Sequence, residues 1–271
     1  MTIKQKLSIL AILLAVFTQT IFAQKIVVGG SPGPYIDLFK EAIAPTLETK
    51  GYSFEYKEFS DYVQPNLALN NKAIDVNIFQ HSVYLAKFSA DKGLDLSPLI
   101  SVPTAALGIY SKKYKTIADI KDGSSITVPN DATNLARALR YLQTANLLKI
   151  KPDIDAAKAS EKDIAENPKK LKIKPVEAAQ IPRTIDGVDV AVANGNYAIS
   201  AGIYSTAIDR EVLSEDYINV IAVRTADLNS QFAKDIKEIV ESDAFINVVN
   251  NPDKIYKDFQ KPQWLLEKIK K

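Results

Sequence analysis

The sequence predicts an α/β protein in which two similarly built lobes face a shared cleft. Apolar strands alternate with amphipathic helices along most of the 271 residues, which is typical of a sheet covered by helices. Residues 73–80 also resemble residues 187–194, since each segment has a small residue, an aliphatic residue, Asp-Val, and then apolar residues that end in an amide. Because ligands bind at the carboxyl ends of strands in open α/β sheets, these segments indicate a cleft between the lobes.

The composition excludes several classes of function. The chain has 34 Lys and Arg residues against 32 Asp and Glu, and no basic stripe is interleaved with aromatic residues, so we expect no nucleic-acid partner. Cys is absent and there is a single His, which excludes disulfides, thiolate catalysis and Cys-based zinc sites. We expect no metal and no cofactor, and we expect a monomer.

The first 23 residues have the pattern of a cleavable signal peptide. Lys4 and Lys6 precede an apolar segment at residues 7–17, which is too short to span a bilayer comfortably. Residues 21–23, Ile-Phe-Ala, form a plausible cleavage site that leaves Gln24 as the mature N-terminus. We therefore expect a periplasmic or secreted protein, with an uncleaved N-terminal anchor as the alternative.

The first part of the mature chain alternates strands and helices. We expect strands at residues 25–30, 52–59 and 73–81, and helices at residues 36–47, 61–69 and 84–93. Asp61 is expected to begin the second of these helices, with Tyr62 on it. The Gly-rich turn after the first strand matches neither GxGxxG nor GxxxxGK[ST], so a nucleotide site is not favoured.

The rest of the chain repeats this alternation and then returns to the first lobe. We expect strands at residues 105–110, 126–128, 171–176, 187–194 and 218–223, and helices at residues 131–148, 178–185, 230–242 and 252–270. The first lobe then comprises residues 24–108 and 221–271, and the second lobe comprises residues 109–220. Two strands that cross between the lobes would form a hinge that closes on a ligand.

The stretch at residues 126–137 carries the clearest binding chemistry. A short strand ends at Pro129, and either Asp131 or Thr133 can cap the helix that follows. Asn134 and Arg137 lie three residues apart on one face of that helix, and an Arg guanidinium grips a carboxylate with two parallel hydrogen bonds. We interpret Arg137 as the residue that holds a ligand carboxylate, the alternative being an Arg on a solvated helix face.

Two other classes of function remain as alternatives. Asp75, Asp189 and His81 could be the acid–base groups of a secreted enzyme with a cleft active site. The two Asp residues, however, occupy matching positions in the two halves, which favours a shared structural role. No Ser nucleophile elbow or phosphate loop is present. The other class is a surface interaction protein with a vestigial cleft, and we expect a binding protein rather than an enzyme.

Six segments of the sequence resemble the methionine-binding NlpA/MetQ-type family of solute-binding proteins. They are residues 58–66, 77–81, 108–114, 128–137, 177–183 and 194–198, and they follow one another in the family's order. The resemblance implies a two-lobed periplasmic-binding-protein fold, type II-like, that delivers methionine or a close analogue to the permease of an ABC importer. A Met-containing dipeptide or another apolar amino acid is the alternative ligand.

The resemblance also implies which side chains bind the ligand. The six residues are Tyr62, Phe79, His81, Asn134, Arg137 and Asn194. Arg137 would bind the carboxylate, Asn194 the amino-acid head group, and the aromatic residues the thioether side chain. The alternatives are a structural role for His81 and the two aromatics, and Asn196 in place of Asn194.

The sequence departs from the family in two respects. Relatives are usually lipid-anchored through a Cys that follows the signal peptide, and this sequence has none, so we expect the protein to be free of the membrane. In addition, Tyr35 stands where many relatives have His, and residues 104–107 stand where relatives are more often acidic and contain Met. Either of these latter changes could alter the ligand.

Overall fold

The structure, a computed structural model, describes residues 23–155 and 157–270. Its strands, numbered in chain order, are β1 (Gln24–Gly30), β2 (Tyr52–Glu58), β3 (Val76–His81), β4 (Leu96–Ser101), β5 (Gly108–Tyr110), β6 (Ser125–Pro129), β7 (Lys149–Ile150), β8 (Ile164–Glu166), β9 (Lys172–Val176), β10 (Val190–Ala193), β11 (Asp209–Arg210) and β12 (Asn219–Arg224). Its α-helices are α1 (Pro34–Ala42), α2 (Ala44–Thr49), α3 (Gln64–Asn70), α4 (Ser82–Lys92), α5 (Ala132–Thr144), α6 (Ile181–Thr184), α7 (Gly195–Ser200), α8 (Gln231–Val240), α9 (Asp243–Val249) and α10 (Gln263–Ile269).

The strands form two five-stranded sheets with the same pattern of parallel and antiparallel neighbours, and β7 and β8 form a small third sheet. The first sheet has the order β2-β1-β3-β12-β4, and the second has the order β9-β6-β10-β5-β11. In each sheet the first three strands are parallel, and the fourth is antiparallel to both of its neighbours. The predicted α/β architecture with two similarly built halves is therefore confirmed.

The chain passes twice between the two sheets. The first passage, residues 102–107, joins β4 to β5, and the second, residues 211–218, joins β11 to β12. Gly108 pairs within the second sheet, whereas Asn219 and Val220 pair within the first. The lobe limits expected from the sequence, after residues 108 and 220, thus fall inside strands rather than between them.

In each sheet, the Asp that precedes the third strand ties that strand to the second one, β3 to β1 and β10 to β6. Asp75 Oδ2 accepts a hydrogen bond from the Val27 N–H at 2.9 Å. Asp189 Oδ2 accepts hydrogen bonds from the N–H and the hydroxyl of Ser125, both at 2.8 Å. These equivalent contacts explain why the two halves of the sequence share the Asp-Val pattern, and they give both Asp residues the structural role that was predicted.

Replacing Asp189 with Asn is expected to lower the free energy of unfolding by about 1 kcal/mol at pH 7. Lys113 and the Ser125 donors hold the pKa of the Asp189 carboxyl down, to about 2 from 3.8. A lowered pKa stabilises the folded state above pH 4, and this contribution disappears as the pH falls toward 2. The effect is small because solvent screens this ion pair, in which the Asp189 side chain is 23% exposed and Lys113 is 56% exposed.

Urea denaturation of the wild type and Asp189→Asn at pH 7 and at pH 2.5 measures this effect. The difference between the two proteins should shrink at the lower pH. Asp186→Asn, which removes an exposed carboxylate paired with Lys112, is the control and should change stability little at either pH. A difference of equal size at both pH values would contradict the prediction.

The second sheet packs against α5 through the apolar positions that the sequence indicated. Leu135, Leu139 and Leu142 are all buried, and they belong to one cluster with Ile126 and Val128 of β6. Spacings of three and four residues place the leucines on one face of the helix. This packing holds the N-terminus of α5 close to the carboxyl end of β6, which ends three residues before the helix begins.

Several helices differ from those expected. Helix α3 begins at Gln64 rather than at Asp61, because the Asp61 carboxylate accepts hydrogen bonds from the Val63 and Gln64 N–H groups before the helix starts. Tyr62 therefore precedes the helix. The helix expected at residues 252–270 is only a 3₁₀ turn and the short α10, with Pro262 between them. Helices α7 and α9 were not expected.

Strand β4 was also missed from the sequence. Its Pro98 interrupts an otherwise apolar segment, and Pro is generally excluded from central strands. The structure places β4 at the edge of the first sheet, where only β12 pairs with it. Pro98 is tolerated there because an edge strand needs fewer backbone donors.

The structure does not describe the expected signal peptide, which lies outside its residues except for Ala23. Within the ranges given above, none of the helices has both the length and the apolar character required to cross a bilayer.

Candidate functional site

A cavity of about 320 Å³ lies between the two lobes. All six residues predicted to bind a ligand line it, namely Tyr62, Phe79, His81, Asn134, Arg137 and Asn194. Seven further residues also line it, namely Tyr35, Gln80, Tyr84, Ala105, Gly195, Asn196 and Asn219. Among them, Asn196 was the alternative to Asn194, and the other six were not among the expected binding residues.

Three element ends bring the polar residues together. His81 ends β3, Asn194 follows β10, and Asn134 lies in the first turn of α5. Asp131 is the cap of α5, because its Oδ1 accepts a hydrogen bond from the Asn134 N–H at 3.0 Å. Of the two capping candidates, Asp131 is therefore the correct one. Its carboxylate also accepts from the Asn134 side-chain amide at 3.1 Å, which orients that amide.

Asn134 joins His81 to Asn194 across the cavity. Its Oδ1 is 3.2 Å from His81 Nε2 and accepts a hydrogen bond from Asn194 Nδ2 at 3.0 Å. His81 Nδ1 accepts from the Tyr84 N–H at 3.1 Å and thereby caps α4. Because Nδ1 accepts from a backbone donor, the imidazole proton resides on Nε2 and points at Asn134.

We expect His81 to stay neutral, with its proton on Nε2, between pH 8 and pH 5. Burial, and then the positive charge of Arg137, lower the imidazole pKa to about 3 from 6.5. Since the unfolded chain gains this proton first, His81 reduces stability as the pH falls below 6.5. The chain has one His, so nitrogen NMR of the labelled imidazole reads this residue alone. A midpoint near pH 6.5 in the folded protein would contradict the prediction.

Asn194, which lines the cavity, has an unused acceptor. The residue is 6% exposed, and its Oδ1 has no hydrogen-bond partner in the described part of the protein. A buried oxygen of this kind costs free energy unless a donor reaches it. A ligand that donates a hydrogen bond, above all a charged ammonium group, would satisfy it.

Arg137 is buried and paired rather than solvated. It is 5% exposed, so the alternative of an Arg on a solvated helix face is wrong. Its Nε donates a hydrogen bond to Glu211 Oε2 at 3.1 Å, and its Nη2 donates to Glu211 Oε1. The guanidinium carbon also lies 5.1 Å from the centre of the Tyr217 ring, within reach of a cation–π interaction.

Glu211 and Tyr217 were missed because no local pattern connects them to α5. Glu211 lies 74 residues after Arg137, in the passage between β11 and β12. Its Oε1 also accepts a hydrogen bond from the Leu107 N–H at 2.7 Å, and Leu107 belongs to the other passage. Glu211 therefore connects Arg137 to both segments that join the lobes.

Aromatic rings form one side of the cavity. The Tyr62 ring stacks on Tyr197 with 4.9 Å between centres and lies 5.7 Å from Phe79, with Tyr84 edge-on at 5.9 Å. The Tyr62 hydroxyl donates to Asn196 Oδ1 at 2.6 Å. These rings are core aromatics and cavity wall at once, so the two readings of Tyr62 and Phe79 do not exclude each other.

Comparison with known proteins identifies the family. The model of the NlpA lipoprotein family matches residues 26–264, which is most of the chain. The chain belongs to the NlpA lipoprotein family.

Relatives and solved structures agree with this assignment. A probable D-methionine-binding lipoprotein, MetQ, of Vibrio cholerae is 36% identical over 81% of this chain and 82% of that protein. A nutrient-binding protein from Burkholderia cenocepacia, solved bound to methionine, is similar with a TM-score of 0.80 and 36% identity, over 85% of this chain and 98% of that one. A periplasmic substrate-binding protein of an ABC transporter from Coxiella burnetii has a TM-score of 0.77 and 36% identity, over 83% of this chain and 95% of that one.

These similarities confirm the two-lobed periplasmic-binding-protein fold and the expected class of protein. NlpA-family relatives are named as binding proteins, which agrees with a binding function rather than an enzymatic one. Within this NlpA-family chain, the departures at Tyr35 and at residues 104–107 meet at the cavity. The Tyr35 hydroxyl accepts a hydrogen bond from the Ala105 N–H at 3.0 Å, and both residues line the cavity.

Proposed function

We propose that this protein binds methionine in the cavity between its lobes and delivers it to the permease of an ABC importer. The observation that carries the proposal is the pairing of a buried cation with an unused acceptor. Arg137 and Asn194 both line one small cavity, and the guanidinium and the unused Asn194 Oδ1 complement the carboxylate and the ammonium of an amino acid.

The head group would be bound by second-lobe residues. Arg137 donates to the carboxylate through N–H groups that Glu211 does not use, since a guanidinium has five donors. Asn194 accepts from the ammonium. Asn134 holds Asn194 in place, because its Oδ1 accepts a hydrogen bond from Asn194 Nδ2.

The side chain would lie against first-lobe aromatics. A thioether has no strong hydrogen-bonding group, and sulfur makes favourable contacts with aromatic rings. Tyr62, Phe79 and Tyr84 supply such rings, and His81 is neutral and fully engaged by its own partners. The methionine-bound relative from Burkholderia cenocepacia supports this choice of ligand.

Isothermal titration of the protein, unfolded and refolded to remove any co-purified ligand, tests the proposal. L-methionine, D-methionine, a Met-containing dipeptide, leucine and a charged amino acid are compared. We expect saturable one-to-one binding that is strongest for a methionine enantiomer. Preference for the dipeptide or for leucine would favour the alternative ligands, and turnover of a bound compound would favour an enzyme. No binding by the folded protein would reject the proposal.

We further propose that the two passages, residues 102–107 and 211–218, are the hinge. The first lobe would comprise the strands of the first sheet with their helices, and the second lobe the strands of the second sheet. Small-angle scattering of the ligand-free and methionine-bound protein should show a smaller radius of gyration for the bound form. An unchanged radius, in a sample shown to start without ligand, would count against closure.

We also propose that the protein is exported and acts without a lipid anchor. Residues 1–23 have the pattern of a signal peptide, and none of the 271 residues is a Cys to which a lipid could be attached. The Vibrio cholerae relative is named a lipoprotein, so the two would differ in this respect. Mass spectrometry of the exported protein should find an unmodified chain beginning at Gln24.

A further inference from the structure

We propose that Glu211 makes the cavity selective for zwitterions over anions, by neutralising the charge of Arg137. This inference rests on the proposed function, because it explains which carboxylate-bearing compounds the site accepts. It concerns a residue that lies behind the cavity wall and does not line the cavity itself.

Several hydrogen bonds fix Glu211 in position, so a ligand carboxylate would not displace it from Arg137. Its carboxylate accepts from Arg137 Nε and Nη2 and from the Leu107 N–H, and its backbone N–H donates to the Leu107 carbonyl at 3.1 Å. Its own carbonyl accepts from Gln260 Nε2 at 2.8 Å. A ligand carboxylate would therefore bind the remaining donors of Arg137 while the ion pair with Glu211 stays in place.

The ion pair of Arg137 and Glu211 then carries no net charge beside the cavity. Of the cavity-lining residues within 23–155 and 157–270, Arg137 is the one with a charged side chain, because His81 is neutral there. Glu211, 9% exposed, cancels that charge at direct contact. Asp131 adds carboxylate oxygens on the far side of Asn134. A site with this arrangement offers directed hydrogen bonds to a carboxylate but little net positive potential.

This charge balance separates two ligand classes. A zwitterionic amino acid brings no net charge, and its ammonium satisfies Asn194 Oδ1. A 2-hydroxy or 2-keto acid with the same side chain brings one uncompensated negative charge into a buried site that already contains Glu211. Burying an unpaired charge is costly, so such anions should be rejected more strongly than the loss of one hydrogen bond explains.

Glu211→Gln tests the inference without removing the shape of the contact. A Gln Oε1 can still accept from the Leu107 N–H and from Arg137, but it carries no charge. The probes are L-methionine and 2-hydroxy-4-(methylsulfanyl)butanoate, the anion in which a hydroxyl replaces the amine. The measured quantity is the ratio of their dissociation constants in the wild type and in each variant, with folding checked by circular dichroism and thermal melting.

We expect the wild type to prefer methionine, and we expect Glu211→Gln to reduce that preference at least about tenfold. Glu161→Gln removes the same charge from an exposed position in the same half of the chain and should leave the ratio unchanged. Glu211→Asp keeps the charge with a shorter reach, so it should weaken both ligands and preserve the ratio.

The outcomes separate this inference from the proposed function. Methionine binding by the wild type with an unchanged ratio in folded Glu211→Gln would overturn the inference alone. If Glu211→Gln does not fold, a ratio lost in Glu211→Asp would overturn it, and a ratio preserved there would support it. A wild type that binds neither probe would overturn the proposed function, and the inference with it.

Discussion

Replacing Arg137 with alanine is expected to weaken methionine binding by about 2–5 kcal/mol, or roughly 30-fold to several thousandfold. Among the described residues that line the cavity, the guanidinium is the one cation, so the ligand carboxylate has no substitute partner there. The lost hydrogen bonds are charge-assisted and lie in a buried site, where such bonds are strongest.

The same substitution also leaves Glu211 buried without its cation. Breaking a buried ion pair by removing one partner typically costs about 3–5 kcal/mol of folding stability. The two side chains are 5% and 9% exposed, so this cost applies nearly in full. A loss of binding by Arg137→Ala could therefore reflect unfolding rather than a missing contact, and the experiment must separate the two.

A double variant makes that separation. Arg137→Ala with Glu211→Ala removes both charges, so it should recover stability relative to Arg137→Ala while methionine binding stays weak. Titration calorimetry measures the affinity and urea denaturation the stability of each variant. Arg183→Ala, which removes an exposed Arg of α6, is the control and should change neither. A folded Arg137→Ala that binds methionine nearly normally would reject the assigned role.

Local patterns were sufficient for much of this fold. The apolar spacing of α5 places Arg137 and Asn134 on one face, and the Asp-Val repeat locates the third strand of each sheet. Both signals arise from residues close in sequence, because helix and strand periods act over a few residues. Strand β4 was missed because Pro98 argues against a central strand. Its edge position depends on pairing with β12, which is distant in the sequence.

The site was predicted only in part for the same reason. Residues at element ends carry local signals, and all six predicted residues line the cavity. Glu211 and Tyr217 carry none, because they lie between β11 and β12, far from Arg137 in the sequence, and contact it only in the folded structure. Residues that contact a binding side chain without lining the cavity are positioned by tertiary packing, and no short sequence pattern indicates such packing.

Among the aromatic residues of the cavity, we expect the loss of Tyr62 to have the largest effect on both stability and methionine binding. Tyr62→Ala removes a ring packed against Phe79, Tyr84 and Tyr197, and we expect the free energy of unfolding to fall by about 3–5 kcal/mol. The same change removes the wall on which the thioether would lie. Methionine affinity should fall by about tenfold or more, measured by titration under conditions where the variant is folded.

Tyr62→Phe separates the ring from the hydroxyl, and this distinction bears on how the lobes are held together. The hydroxyl binds Asn196 of α7, which also donates to Ser31 Oγ at 3.2 Å and to the Pro32 carbonyl at 3.0 Å. Asn196 thus connects the second lobe to two separate parts of the first. Losing one connection leaves a buried oxygen without its donor, at a cost of about 1–3 kcal/mol.

Because those contacts exist only while the lobes are together, Tyr62→Phe should weaken methionine binding chiefly by favouring separation of the lobes. Its aromatic wall is intact, so its affinity should lie between those of the wild type and Tyr62→Ala. Tyr114→Phe, which loses a hydroxyl bonded to Ser124 within the second lobe alone, is the matched control and should bind normally. If Tyr62→Phe bound methionine as tightly as the wild type does, the contact between Tyr62 and Asn196 would have no part in closure.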